Sequence, residues 1–130
     1  MISDRRSFLQ QTLAIGSAPA VLLGKSSPFT VGIIGSTGRG NYGHALDVAW
    51  RNLAEARIVA VADNNSKGRS SALKRLGCKK GYQDYRKMLE TEKPDFLSIC
   101  PRHADQRVPM IEAACEFRVK GIYVEKPFAR

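Results

Sequence analysis

FTVGIIGSTGRGNYG, residues 29–43, is a short apolar run that breaks into a glycine-rich loop. Thr30–Ile34 reads as a buried strand, because Val31, Ile33 and Ile34 are β-branched and nothing in the run is charged. Gly35, Gly38, Gly40 and Gly43 follow, and then Ala45, Leu46, Ala49, Trp50 and Leu53 recur at helical spacing. The spacing predicts a strand that passes through a glycine loop into a helix. Such a junction suits a phosphate cradle: glycine allows close backbone approach, and the first free N–H groups of the helix face the anion.

Two glycine registers compete. The literal G-x-G-x-x-G is Gly38, Gly40, Gly43, three residues past the strand end; counting from the strand end gives Gly35, Thr37, Gly40, with threonine at the second position. The second register is preferred, because Gly35 is where the strand ends. Taken alone, the loop also reads as a glycine turn with no ligand. Outward from it, ARIVAVAD (residues 56–63) is a second apolar run ending in an acid, Asp63, which lies 23 residues after Gly40. That is close to the roughly 20 expected between a dinucleotide fingerprint and its ribose-binding carboxylate.

Towards the N-terminus, Ser3-Asp4-Arg5-Arg6-Ser7-Phe8-Leu9 sets paired arginines before Phe-Leu, and Thr12–Leu23 carries no charge. Residues 1–24 resemble a bacterial twin-arginine export signal, with Ala18-Pro19-Ala20 as the small-residue cleavage site. This implies a periplasmic protein. The uncharged run is about 12 residues, short of the roughly 20 that span a bilayer, so no stable membrane span is expected. An amphipathic N-terminal arm is the other reading. Residues 25–29 form a linker, and residues 30–130 are long enough for one small core.

The chain carries a formal charge of +9. Lys67, Arg69, Lys74, Arg75, Lys79, Lys80, Arg86 and Lys87 concentrate that charge, opposed locally only by Asp84. The cluster includes Tyr82 and Tyr85 but no recognition-helix or base-stacking pattern, so nucleic acid is not expected as a partner. An acidic partner surface or the phosphates of a cofactor would use the same charge. Cys78, Cys100 and Cys115 are odd in number and have no metal-ligand spacing, so no metal site is expected. Cys100 ends an apolar strand and Cys115 lies on the apolar side of a helix; both read as buried, inert thiols.

Past Asp63 the pattern keeps alternating. Lys67–Leu76 reads as a helix with Ala72, Leu73 and Leu76 inward and Gly77 as its C-cap. Lys79–Tyr82 reads as a short edge strand, and Asp84 as the N-cap of a helix to about Glu92. Phe96–Cys100 is a third clear strand. Val108, Ile111, Ala114, Cys115 and Phe117 outline a helix that Pro109 either opens or kinks, and Gly121–Val124 is the last strand. Strands alternating with helices at this spacing predict an α/β fold: a doubly wound parallel sheet with right-handed crossovers, covered on both faces.

Ligands of such sheets bind beyond the C-terminal strand ends. GIIGSTGRG, VAVAD, DYRKML, CPRHAD and YVEKPFA, in this order and spacing, resemble the N-terminal half of the Gfo/Idh/MocA oxidoreductases. The resemblance covers Thr30–Arg130, and E-K-P at a late strand end is its most specific piece. It implies a Rossmann domain binding NAD or NADP, and hydride transfer to or from a sugar, cyclitol or related polyol. Gly35, Ser36, Thr37, Gly38, Arg39 and Gly40 would form the pyrophosphate loop, and Asp63 would hold the adenosine ribose hydroxyls. A carboxylate there favours NAD over NADP, although Asn64, Asn65, Ser66 and Lys67 offer donors that tolerate a 2′-phosphate.

By the same resemblance Pro101, Arg102 and His103 would lie beside the nicotinamide ribose. Lys126 is the catalytic candidate, its ammonium hydrogen-bonding the reacting hydroxyl, with Glu125 positioning it. Two departures stand out. Asp105 falls where relatives carry the histidine of P-x-x-x-H, and the family's C-terminal α/β substrate domain has no counterpart in these 130 residues. Turnover is therefore left open. A non-catalytic dinucleotide-binding module or a truncated remnant is the alternative, and a homo-oligomer remains open.

Overall fold

The computed structural model describes residues 26–128. The expected export signal, with its cleavage site, lies outside the described residues. Five parallel strands form the sheet: β1 (Phe29–Ile34), β2 (Ala56–Ala62), β3 (Gly81–Tyr82), β4 (Phe96–Ile99) and β5 (Gly121–Val124), in the order β3-β2-β1-β4-β5. Chain order reverses between β1 and β4, which are paired directly, Val31 opposite Phe96 and Ile34 opposite Ile99. The expected doubly wound Rossmann arrangement is therefore present. β1 and β2 pair from Phe29↔Ala56 to Ile34↔Ala62, with a register shift between Val31 and Gly32.

Three α-helices cover the sheet: α1 (Ser66–Leu76), α2 (Tyr85–Glu92) and α3 (Ala104–Glu116). Strand alternation divides the core into two layers. Ile34, Ala60, Ala62, Leu97 and Ile99 face α2 and α3, meeting Met88, Leu89, Met110, Ala113 and Ala114. Val31, Ile33 and Val61 face the other way, meeting Ala72 and Leu76 of α1 together with Leu46. Capping follows the sequence closely. Gly77 ends α1 in the left-handed region (φ 63°), and the Asp84 carboxylate accepts from the Arg86 N–H at 2.8 Å at the start of α2.

Three expectations are corrected. No α-helix follows the glycine loop: residues 37–48 run through turns and a single bridge residue, and a short 3-10 helix, Ala49–Asn52, is all that forms. Asn41 (φ 49°) and Ala45 (φ 63°) stand in the left-handed region, which a continuing right-handed helix does not allow. Leu46 still reaches the core, while Leu53 is left 46% exposed.

Second, the inward face of α3 differs: the helix begins at Ala104 and carries Pro109 inside it, the latter of its two expected placements, where it offers no N–H to the preceding turn. Its buried face is Arg107, Met110, Ala113 and Ala114, and Val108 is 57% exposed. Third, the same shift leaves the Cys115 thiol exposed; Cys100 is buried as expected, and Cys78 is buried too. Among the described residues no helix is long and apolar enough to cross a membrane.

Candidate functional site

Every strand of a parallel sheet points its C-terminal end to the same side, so the loops after β1, β2, β4 and β5 converge there. Gly35 is the first residue past β1, and its N–H donates to the Ala62 carbonyl of β2 (2.9 Å). Ser36 and Asn41 then exchange two main-chain hydrogen bonds, 3.0 and 2.9 Å, which closes residues 36–41 into a tight loop. Within it the Gly38 N–H donates to the Asn41 side chain (2.9 Å) and the Arg39 N–H to the Ser36 carbonyl (3.0 Å). The Gly38, Arg39 and Asn41 N–H groups are thus turned inward, on the loop itself.

The loop is held by the segments that follow β4 and β5. Gly40 has φ +85°, and a Cβ there would lie 2.6 Å from the Arg102 nitrogen and 3.3 Å from the His103 ring. Pro101 is buried, while Arg102 and His103 are exposed and lie against the glycine loop. Asp105, standing where a histidine was noted as missing, forms an ion pair with the Arg39 guanidinium. From β5, buried Glu125 accepts from the His44 N–H (2.7 Å) and from His44 Nδ1 (2.9 Å) on one oxygen, and from the Lys126 N–H (3.1 Å) on the other. Burial pushes the Glu125 carboxyl up, but the bonds from His44 and Lys126 outweigh it and hold the pKa below its ordinary value. The Lys126 side chain is exposed at this strand end.

Asp63 is placed at the end of β2 as expected, but it is only 2% exposed and its donors come from the protein. Oδ2 accepts from Thr37 Oγ1 (2.6 Å) and Tyr42 Oη (2.9 Å), and Oδ1 accepts from the Asn65 N–H (3.0 Å). The Thr37 N–H straddles both oxygens at 3.2 and 3.3 Å. Burial first, then the Asp63 charge and the bond to it, raises the pKa of the Tyr42 phenol, so Tyr42 stays a protonated donor. Its ring covers Gly35, where any Cβ would overlap it, and the Arg75 guanidinium lies 4.9 Å from the ring centre. Arg75 in turn donates to buried Asp47 from Nε (2.9 Å) and Nη2 (2.6 Å).

A cleft of about 460 Å³ opens beside this arrangement, lined by Gly35, Ser36, Asp63 and Asn64 with Gln106 and Met110 of α3. Gln106 Nε2 donates to Ser36 Oγ (3.2 Å), and its buried Oε1 has no partner. An orphaned acceptor, a hydroxyl and an exposed Gly38 with open space above it suit a ligand rich in hydroxyl and phosphate groups. Pro101, Arg102, His103, Glu125 and Lys126 lie outside this cleft's lining.

Sequence reasoning passed over Tyr42, His44, Asp47, Gln106 and Arg107. Arg107 is 1% exposed and donates to the Arg102 carbonyl (2.6 Å) and to the Pro127 carbonyl, tying the loop after β4 to the segment after β5. The signal was a charge in an otherwise apolar register: Asp47 beside Leu46, and Arg107 one turn before Met110 and Ile111. Among the described residues no cluster of His, Cys, Asp and Glu is placed to hold a metal.

Residues 29–130 match the Gfo/Idh/MocA family, an oxidoreductase family with an NAD-binding Rossmann fold. The chain is 35% identical over 81 residues to a D-apiose dehydrogenase from Paraburkholderia graminis, covering 62% of this chain and 21% of that one. Its fold is similar to that of an oxidoreductase from Agrobacterium radiobacter solved with NAD+, L-tartaric acid and magnesium (TM-score 0.67, 23% identity, 80% of this chain and 29% of that one). It is also similar to scyllo-inositol dehydrogenase from Lactobacillus casei solved with NAD(H) and scyllo-inositol (TM-score 0.64, 21% identity, 79% and 29%). The chain therefore spans about a fifth of the curated relative it matches and about three-tenths of these solved chains.

Proposed function

Since the chain belongs to the Gfo/Idh/MocA family of oxidoreductases, in its NAD-binding Rossmann part, we propose that residues 30–130 are the cofactor domain of an enzyme that moves a hydride to or from a sugar, cyclitol or related polyol. The observation that carries this reading is the cleft at the C-terminal ends of β1 and β2, beside the β1/β4 reversal, with Ser36, Asn64 and Gln106 on its walls. Reversal points of this kind are where open α/β sheets take their ligands. The sugar and inositol dehydrogenases among the relatives support the substrate class.

In this reading the nicotinamide, when bound, supplies the hydride donor or acceptor. Ser36, Gly38 and Gly40 approach the pyrophosphate, and Asp63 with Asn64 meets the adenosine ribose. A carboxylate at position 63 accepts from a diol and repels a 2′-phosphate, which favours NAD over NADP. The Lys126 ammonium donates to the reacting oxygen, and Glu125, fixed by His44, positions it. The substrate pocket is completed by a second domain. Residues 1–24 act as a twin-arginine signal, and export takes the domain already folded to the periplasm.

Calorimetric titration of the 130-residue chain with NAD+ and NADP+ tests the cofactor reading. Saturable binding on the order of micromolar to millimolar, tighter for NAD+, is expected. Heat of dilution alone, from a chain that circular dichroism shows to be folded, overturns it.

A further inference from the structure

Asp63 has its acceptor positions filled. A carboxylate offers about four lone-pair sites, and here two main-chain N–H groups and two hydroxyls converge on them. A ribose diol reaching the same carboxylate has to take the place of donors already there. Of those donors, the Asn65 N–H lies just past β2, and the Thr37 N–H and hydroxyl sit inside the loop that the Ser36–Asn41 bonds close. Tyr42 lies outside that loop, is half-buried, and brings its hydroxyl to Asp63 on a side chain.

The Tyr42 ring has a second effect. Gly35 is the first glycine past β1, where a bare backbone lets a pyrophosphate approach, and the Tyr42 ring stands against it. One side chain thus covers both features through which this loop would recognise a dinucleotide. Asp47 and Arg75 hold the segment there, the guanidinium resting against the ring.

We propose that Tyr42 is an affinity-setting residue of the cofactor site, a built-in competitor whose hydroxyl occupies the ribose-binding face of Asp63 until a dinucleotide displaces it. The inference rests on the cofactor reading above. The competent state is the one with Tyr42 swung out, and the apparent dissociation constant is raised in proportion to the rarity of that state. Removing the hydroxyl alone makes displacement easier, so the variant binds more tightly. A residue that merely supported the site would give the opposite sign.

The test is calorimetric titration of the full chain and of Tyr42→Phe with NAD+. Phenylalanine keeps the ring against Gly35 and Arg75, so the fold is preserved. The expected result is roughly tenfold tighter NAD+ binding, the scale of one lost hydrogen bond to a charged acceptor. In an Asp63→Ala background the same substitution should shift affinity by less than about twofold, because the contact it removes is already gone. Binding by the wild-type chain that Tyr42→Phe leaves unchanged or weakens overturns the competitor role and leaves the cofactor reading standing. A full gain that persists without Asp63 overturns it as well. Absence of NAD+ binding by both chains overturns the cofactor reading and this inference together.

Discussion

On one face of the sheet, α2 and α3 lay Met88, Leu89, Met110, Ala113 and Ala114 against Ile34, Ala62, Leu97 and Ile99; on the other, α1 gives Ala72 and Leu76, and irregular chain does the rest. The first face is closed by apolar packing between regular elements. The second adds to its apolar layer a set of polar bonds between distant segments. Asp47 holds Arg75, Tyr42 holds Asp63, and Trp50 Nε1 donates to Ser98 Oγ (2.7 Å), whose own hydroxyl donates to the Leu46 carbonyl (3.1 Å). Apolar packing is non-directional and fails as a unit, whereas a few directional bonds can be exchanged for those of a ligand. The candidate site lies between the two: Gln106 and Met110 of α3 line its cleft from the first face, and the Tyr42 segment covers Asp63 and Gly35 from the second.

The largest effect that would break this contrast is a cavity on the first face. Leu97→Ala removes a fully buried side chain from between β4 and the α2/α3 layer and should cost about 3 kcal/mol in denaturant unfolding. A loss below about 1 kcal/mol would show that this face is not the closely packed one.

Asp47→Ala should cost less, about 2 kcal/mol, because it leaves the partly exposed Arg75 without its buried acceptor yet creates only a small void. Its signature is local. Hydrogen exchange should quicken in residues 41–48 while α2 and α3 keep their protection, and a uniform change across both faces would dissolve the distinction.

How much of this was legible in the sequence follows the same division. The strands, α1 with its Gly77 cap and α2 with its Asp84 cap were readable, because β-branched runs and capping residues act over a few positions. The missing helix was not. Ala45, Leu46, Ala49, Trp50 and Leu53 have helical spacing, but the segment's shape is set by partners remote in sequence: Asp63 for Tyr42, Arg75 for Asp47, Glu125 for His44. Trp50 is drawn into an aromatic group with Phe29, Phe96 and Tyr123, with ring centres about 6 Å away. The face of α3 was misread for a similar reason. Arg107 stands in an apolar register, but the carbonyls of Arg102 and Pro127 that let its charge turn inward come from loops that the helix's own periodicity does not specify. At the site, the order of the loops was legible, whereas the saturation of Asp63 by the protein's own donors was not.

The smallest effect belongs to neither face. At the N-terminal strand ends, Asp95 accepts from Lys120 Nζ (2.7 Å) and from the Thr30 N–H (2.8 Å) and hydroxyl (3.0 Å). Chiefly the Lys120 bond, then those from Thr30, lowers its pKa to about 2. A carboxyl depressed in the folded state stabilises fully above the unfolded value of roughly 4, and that contribution fades as pH falls towards 2. Unfolding midpoints measured between pH 6 and pH 2 should therefore decline less steeply for Asp95→Asn than for the wild-type chain, and parallel curves would remove Asp95 from the acid response.

A dinucleotide is expected to reshape the face on which irregular chain takes the place of a helix. Hydrogen–deuterium exchange of the full chain with and without saturating NAD+ tests it directly. Residues 36–44 are expected to change protection on binding, while Met88, Leu89, Ala113 and Ala114 between the sheet and α2/α3 are not. Bound NAD+ that leaves residues 36–44 unaltered, or that protects both faces equally, would contradict it.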